Sequence, residues 1–158
     1  MSSFELSEEE ANTIVEEQKG MVDEDVLRWS DNGGTLTVKF HVQTTDGVVL
    51  SVRGWVNKKS KNYGFALLFR EKIPIRRWDM RKGHKDPITR QKSSGPHKHF
   101  HNPDYEDSRS YDTNDISTTD ARDALIAFLR ECNVSFELNR IPRPFITNQH
   151  NLQDFGVK

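Results

Sequence analysis

Leu36-Thr37-Val38-Lys39-Phe40-His41-Val42-Gln43-Thr44, followed by Val48-Val49-Leu50-Ser51-Val52-Arg53-Gly54-Trp55-Val56, is the stretch that decides the fold. In the first run apolar and polar residues alternate, the period of a strand buried on one face. In the second run Val48, Leu50, Val52 and Val56 share one parity. The two apolar sets fall on the same face only if Val42 lies opposite Leu50 and Phe40 opposite Val52. That register sets Thr44 against Val48 and leaves a three-residue loop, Thr45-Asp46-Gly47, with Gly47 in the left-handed position of a bulged hairpin. A two-residue Asp46-Gly47 turn would instead put Phe40 against Arg53. His41 then sits on the more polar face.

Working outward, a basic tip at 57–62 carrying Lys58, Lys59 and Lys61 leads into Tyr63-Gly64-Phe65-Ala66-Leu67-Leu68-Phe69. This run is apolar at both parities and is expected to be a strand covered on both faces. The extended run from Ile73 to Asp79 adds another strand, with Pro74 placing it at an edge or a strand start. Val26-Leu27-Arg28-Trp29, ahead of Gly33-Gly34, reads as one more. Ser7-Glu8-Glu9-Glu10 has the spacing of a capping box and predicts a helix over about 8–19, ended by Gly20. Ser117-Thr118-Thr119-Asp120 starts a second helix, about 118–132. Its stripe of Ala121, Ala124, Leu125, Phe128, Leu129 and Cys132 puts Cys132 in the core rather than at a reactive site. The fold class is α+β: an antiparallel four- to five-stranded meander with an N-terminal and a C-terminal helix packed on it. One domain is expected over 1–138, with 80–116 as a long basic, His-rich loop. The remainder, 139–158, reads as an extended or disordered tail whose Ile141, Phe145, Ile146 and Phe155 can dock on the domain or on a partner.

Length and composition narrow the function classes. A chain of 158 residues holds one ordinary domain. Leu, Ile, Val and Phe total 38 residues, about 24%, above the ~20% below which chains stay disordered. A mean hydropathy of −0.80 still demands polar excursions from the core. No apolar run approaches the ~18 residues of a membrane span, and the amino end lacks the basic and apolar regions of a signal peptide. A cytoplasmic protein without membrane contact is expected. The lone Cys132 excludes an internal disulfide and a Cys-only zinc site. There is no Gly-rich phosphate loop, dinucleotide fingerprint, serine elbow or His-Glu-x-x-His, which argues against nucleotide hydrolysis and hydride transfer.

Charge is segregated along the chain. The net value is −1, yet residues 70–101 carry ten bases against Glu71, Asp79 and Asp86, together with four of the six histidines. Clustered cations concentrate phosphate-bearing ligands and release counterions on binding. Arg76, Arg81, Lys82, Lys85, Arg90, Lys92 and Lys98 are therefore the expected nucleic-acid contacts. The plainer alternative is a solvated loop balanced by the acidic first helix, and a pI of 6.6 is below that of a dedicated nucleic-acid binder.

The densest chemical feature is Gly95-Pro96-His97-Lys98-His99-Phe100-His101-Asn102-Pro103. Both prolines favour extended backbone, which would put the three imidazoles on one face and Lys98 and Phe100 on the other. Adjacent imidazoles could hold a zinc-like ion, with a further ligand from His41, His84, Asp79 or Asp104. Without a metal, the same pair could serve as base and acid for cleaving RNA through its 2′-hydroxyl, since an imidazole titrates near ~6.5. Arg77 would steady the phosphorane charge, and Asp79, of the same parity, would orient Arg77 or a histidine. The plainer alternative is a structural Arg77–Asp79 pair closing a sheet edge. Arg76 and Trp78 have the opposite parity, with Trp78 expected in the core.

Arg77-Trp78-Asp79 at a sheet end, a polar loop, then Gly95-Pro96-His97-Lys98-His99 resembles the pattern of uncharacterised small prokaryotic proteins of toxin–antitoxin and defence loci. The resemblance covers about 77–99. It implies a conflict-system protein acting on RNA, with a metal-independent endoribonuclease as its catalytic form, with Arg77, Asp79, His97 and His99 carried over and His101 added as a neighbour in the cluster. The alternatives are a non-catalytic, antitoxin-like module binding nucleic acid or a partner protein, and a His-ligated metal-binding protein. Partners on this reading are RNA or another nucleic acid, a cognate toxin or antitoxin, and a second copy of the chain. No cofactor is implied beyond the optional zinc-like ion.

Overall fold

In the computed structural model, residues 6–23, 27–113, 116 and 120–145 are described. The decisive hairpin forms in the expected register. Strands β3 (Thr35–Thr44) and β4 (Val49–Asn57) pair with Val42 opposite Leu50 and Phe40 opposite Val52. The Thr44 amide donates to the Val48 carbonyl at 2.9 Å, and Gly47 adopts φ +97°. Antiparallel pairing continues through β5 (Tyr63–Phe69), β6 (Ile73–Asp79), β7 (His97–Asn102) and β8 (Glu106–Asp112). On the other side β3 pairs with β1 (Lys19–Met21), which pairs in parallel with β9 (Val134–Ser135), while β2 (Ser30–Asp31) pairs with β3 off this path.

The α+β class with a helix at each end is therefore correct, and the strand count is larger than expected: nine among the described residues. Two of the additions lie inside the stretch read as loop, where β7 and β8 make a polar hairpin. The run at Leu27–Trp29 is not a strand; β2 begins after it, and the Trp29 indole N–H donates to the Pro142 carbonyl at 3.0 Å. Val26 lies outside the described residues.

Both helices serve one apolar face. In α1 (Glu8–Glu16) the capping box is formed, with reciprocal Ser7–Glu10 bonds of 3.0 Å each. α2 (Ala121–Glu131) is capped by the Asp120 carboxylate on the Arg122 and Asp123 amides. Ala11 and Val15 of α1 and Ala124, Leu125, Phe128 and Leu129 of α2 are buried on Val38, Phe40, Val42, Val52, Phe65 and Leu67 of the sheet. Cys132 is fully buried there, as its stripe predicts, and burial pushes its thiol up to about 12. A bulge in β6 makes Ile75 an extra residue and lets it join this core. Pro74 lies beyond the last pairing of β6 with β7, where its missing N–H costs nothing. No helix among the described residues is long and apolar enough to cross a membrane. After α2, Ile141 is buried and Phe145 packs at the core margin, while Ile146 and Phe155 lie outside the described residues.

The first helix stops earlier than expected because Lys19 turns inward rather than because of Gly20. Its buried ammonium donates to the Val15, Glu17 and Cys132 carbonyls at 2.8, 2.7 and 2.7 Å. One cation thus satisfies the carbonyl ends of both helices, where the dipole favours positive charge. Burial lowers its pKa from 10.5 to about 8. Lys19→Met is expected to cost about 3 kcal/mol in urea unfolding at pH 7, because it strands buried carbonyls. Above pH 8 the unfolded chain holds the Lys19 proton more tightly than the folded one. Wild-type stability should therefore rise relative to Lys19→Met between about pH 8 and 10, and parallel curves would refute the burial argument.

Candidate functional site: a basic sheet face with an imidazole cluster

The pairing register carries two rows of side chains across five strands on the face away from the helices. One row runs Thr37, Trp55, Gly64, Asp79, His97; the next runs Lys39, Arg53, Ala66, Arg77, His99. In both rows β5 contributes its smallest residues. An added Cβ at Gly64 would lie 2.5 Å from the Trp55 indole nitrogen, so the glycine is what lets the ring lie flat across the strand. β5 is thus covered by helices on one face only, and on the other by Trp55 and guanidinium side chains. The strand is buried at both parities, as its doubly apolar run predicts.

The open half of this face is a shallow groove. One part, about 390 Å³, is lined by Lys39, Arg53, Trp55, Ala66 and Arg77 among others. The adjoining part, about 370 Å³, is lined by Thr35, Asn57, Ser60, Asn62, Trp55 and Arg81. None of the described residues lining either part is acidic. Arg81 lies over Trp55, 4.9 Å from guanidinium carbon to ring centroid, and its side chain is 61% exposed. At the far end Glu71 bonds Lys39 at 2.8 Å and also accepts from Ser51, with His41 3.4 Å away. Hydrogen bonds from Lys39, His41 and Ser51 hold its carboxyl down to about 2, so Lys39 is partly neutralised.

The other half of the face is closed by the connection between β6 and β7. His84 stacks on His97, centroids 5.6 Å apart, and meets His99 edge-on at 4.5 Å, while His97 and His99 are 4.7 Å apart. Arg77 Nη2 is 3.2 Å from both ring nitrogens of His99, and Arg77 Nη1 is 3.4 Å from Asp79. Arg81 holds both Asp79 oxygens, the closest contact being 2.8 Å. Burial would raise the Asp79 carboxyl, but the bonds and charge from Arg81 outweigh it and keep it below its usual range. Asp79, His97 and His99 offer donor atoms that all lie within 4.8 Å of one another.

Three expected site residues stand elsewhere. His101 leaves the trio: the β7–β8 register shifts between Phe100 and Asn102, and its Nε2 sits 2.8 Å from the Leu6 carbonyl, buried before α1. Lys98 and Arg76 face the helices and bind Glu131 of α2, with Lys98 buried against Trp78, so neither meets an external phosphate. His97 and His99 themselves are each only 1% exposed, rather than open to solvent. Lys82, Lys85, Arg90 and Lys92 are exposed along the connection. Among the other ligand candidates, His41 meets Asp23 and Glu71 at the far end of the sheet, and Asp104 lies in the exposed turn after β7. Trp55 was legible as a partner of His41 in face, because its parity opposes Val52 and Val56.

The connection 80–96 is ordered by one carboxylate that carried no signal in the sequence. Asp86 is buried and accepts from the Ile88, Thr89 and Ser110 amides at 3.1, 2.8 and 2.8 Å and from Arg109 Nε at 3.0 Å. It closes its own turn and also caps the outer edge of β8. Burial alone would raise its carboxyl; the donors from Thr89, Ser110, Arg109 and Ile88 override it and hold it far below the ordinary range. Asp86→Ala is expected to destabilise by about 3 kcal/mol and to speed hydrogen exchange at the Ser110 amide, with Asp86→Asn intermediate. The depressed carboxyl adds stability above its unfolded value of ~3.9, and this is lost as the pH falls below it. An unchanged Ser110 exchange rate in Asp86→Ala would show that the connection is held by something else.

No curated protein matches the chain, and no solved structure matches it. A family model does match over residues 6–134, which include both helices, the basic face and the imidazole cluster, and the chain belongs to that family, DUF6978, a family of unknown function.

Proposed function

We propose that the protein binds single-stranded nucleic acid, RNA in the first instance, along the open groove of its sheet. The observation that carries this reading is the Trp55–Arg81 stack bordered by Arg53 and Arg77 in a groove without an acidic lining residue among those described. Bases stack on aromatic rings and on guanidinium planes alike, and the outer layer of this stack is a guanidinium open to solvent. Arg53 and Arg77 stand one row over, where a sugar–phosphate chain crossing the strands would run. The resemblance to proteins of toxin–antitoxin and defence loci makes RNA the chosen class and an RNA-directed conflict protein the broader setting.

Cleavage is the narrower claim. His97 and His99 would act as base and acid, with Arg77 on the phosphate; the Arg77–His99 contact supports it. Burial of both rings opposes it, because the connection 80–96 would have to lift before substrate reached them. Chelator-treated protein that cuts a mixed RNA pool, with loss of cutting in His99→Ala, would establish that claim; intact RNA removes it and leaves binding standing.

Binding is tested by anisotropy of a labelled mixed-sequence RNA of about 12 nucleotides. Three to four neutralised phosphates give a slope of about −2 to −3 in log affinity against log salt. Trp55→Ala should lose ~1–3 kcal/mol of binding, and Arg53→Ala should flatten the salt slope. A flat salt response in the wild type, or unchanged affinity in both variants, refutes the groove as the binding surface.

A further inference from the structure

On the closed half of the face, the His97 ring presents a buried acceptor. His97 Nδ1 is 2.8 Å from the Gly95 carbonyl, which fixes the proton on that nitrogen and leaves Nε2 with its lone pair. That Nε2 is buried and has no hydrogen-bond partner. A buried acceptor without a donor costs free energy, and its neighbours within reach are the groups that bind metals. An imidazole tied through one nitrogen to a backbone carbonyl, with a carboxylate and a second imidazole close to the ring, is the arrangement that orients metal-ligating histidines.

We propose that Asp79, His97 and His99 hold a divalent ion of the zinc class, with His84 as the fourth donor. Three donor atoms within 4.8 Å of one another lie no more than about 2.8 Å from a common centre, against ~2.0–2.1 Å for bonded nitrogen or oxygen. The donors thus close in by less than about an ångström. His84 arrives on the connection pinned by Asp86, and its ring already touches both other imidazoles. The donor set is two or three imidazoles and one carboxylate, borderline in softness, which suits zinc and its neighbours rather than calcium or magnesium.

The obstacle is electrostatic and it sharpens the test. Arg81 occupies both Asp79 oxygens and Arg77 touches one, so the ion competes with guanidinium for the carboxylate. Arg81 is the weaker holder in one respect: its side chain is 61% exposed and regains hydration when it swings away. Removing it therefore strengthens metal binding, which neither an anion site nor a purely structural cluster would do.

The experiment titrates the chelator-treated full chain with zinc, read by competition with a chromophoric chelator, and with cobalt(II), read by visible absorption. One equivalent should bind, cobalt should give the intense bands of a four-coordinate nitrogen–oxygen site, and the melting midpoint should rise. His97→Ala and His99→Ala should each weaken zinc binding by 100-fold or more, whereas Arg81→Ala should tighten it about tenfold. Melting of each variant without metal shows that it folds, and Arg81→Ala keeps the test open if the histidine variants do not. No saturable binding by the wild type, or equal affinity in His97→Ala, or weaker binding in Arg81→Ala, each overturns the assignment. The RNA measurement above is separate, since Trp55 and Arg53 are not metal donors; either result can fail alone.

Discussion

Successive residues of a pleated strand face opposite sides, so the register shared by β3 to β7 decides together what is buried and what is presented. Fixing Val42 opposite Leu50 sends Val38, Phe40, Val52, Phe65 and Leu67 to the helices and Lys39, Arg53, Trp55, Arg77, Asp79, His97 and His99 to the other face. Two glycines make the pleat work at close quarters, one on each side. A Cβ at Gly54 would meet Phe65 at 2.8 Å and Val38 at 3.1 Å within the core, whereas one at Gly64 would strike Trp55 on the groove side. The first allows the core to close and the second lets an indole lie down. A slip of one residue anywhere in the ladder would exchange the two faces.

Elements are also joined through buried or half-buried charges with several partners each. Lys19 ties the ends of both helices to the β1 strand. Glu131 gathers Arg76, Trp78 and Lys98 beneath α2, the Trp78 indole donating at 2.9 Å. Asp86 holds its own turn and the edge of β8. A buried charge tolerates no loss of partners, so each of these groups selects one geometry where apolar contact would accept several. Edge capping by Asp86 also keeps the open amides of β8 from pairing with another chain.

This division explains what the sequence made legible. The β3–β4 hairpin, the Ser7–Glu10 box and the α2 stripe were readable because each is specified by neighbours or by a simple period. The β7–β8 hairpin was not: His97, Lys98, His99 and His101 are all buried, yet each is polar and satisfied or sheltered by a residue far along the chain. A hydrophobic period cannot announce a strand whose burial depends on Glu131, Asp79 and Leu6. The adjacent imidazole pair and its Arg77–Asp79 neighbours were readable from parity alone. The departure of His101 was not, since the register shift between Phe100 and Asn102 leaves no mark in composition. Nothing in the spacing around Asp86 points to the four donors it collects, since two of them come from β8.

Arg81 belongs to both halves of the face, and that shared membership links the two proposals. Its guanidinium now divides between the Asp79 carboxylate and the Trp55 ring. An ion that takes Asp79 releases the guanidinium from its ion pair while leaving the indole beneath it, so more of its charge becomes available to a phosphate crossing the groove. Conversely, a phosphate that draws Arg81 outward uncovers the carboxylate for the ion. Thermodynamic linkage requires the two effects to be equal in size, with each ligand strengthening the other. The sign follows from competition between ion and guanidinium for one carboxylate. On the two proposals together, a lone acid among five cationic or imidazole side chains would be the point at which metal occupancy and nucleic-acid affinity become one equilibrium.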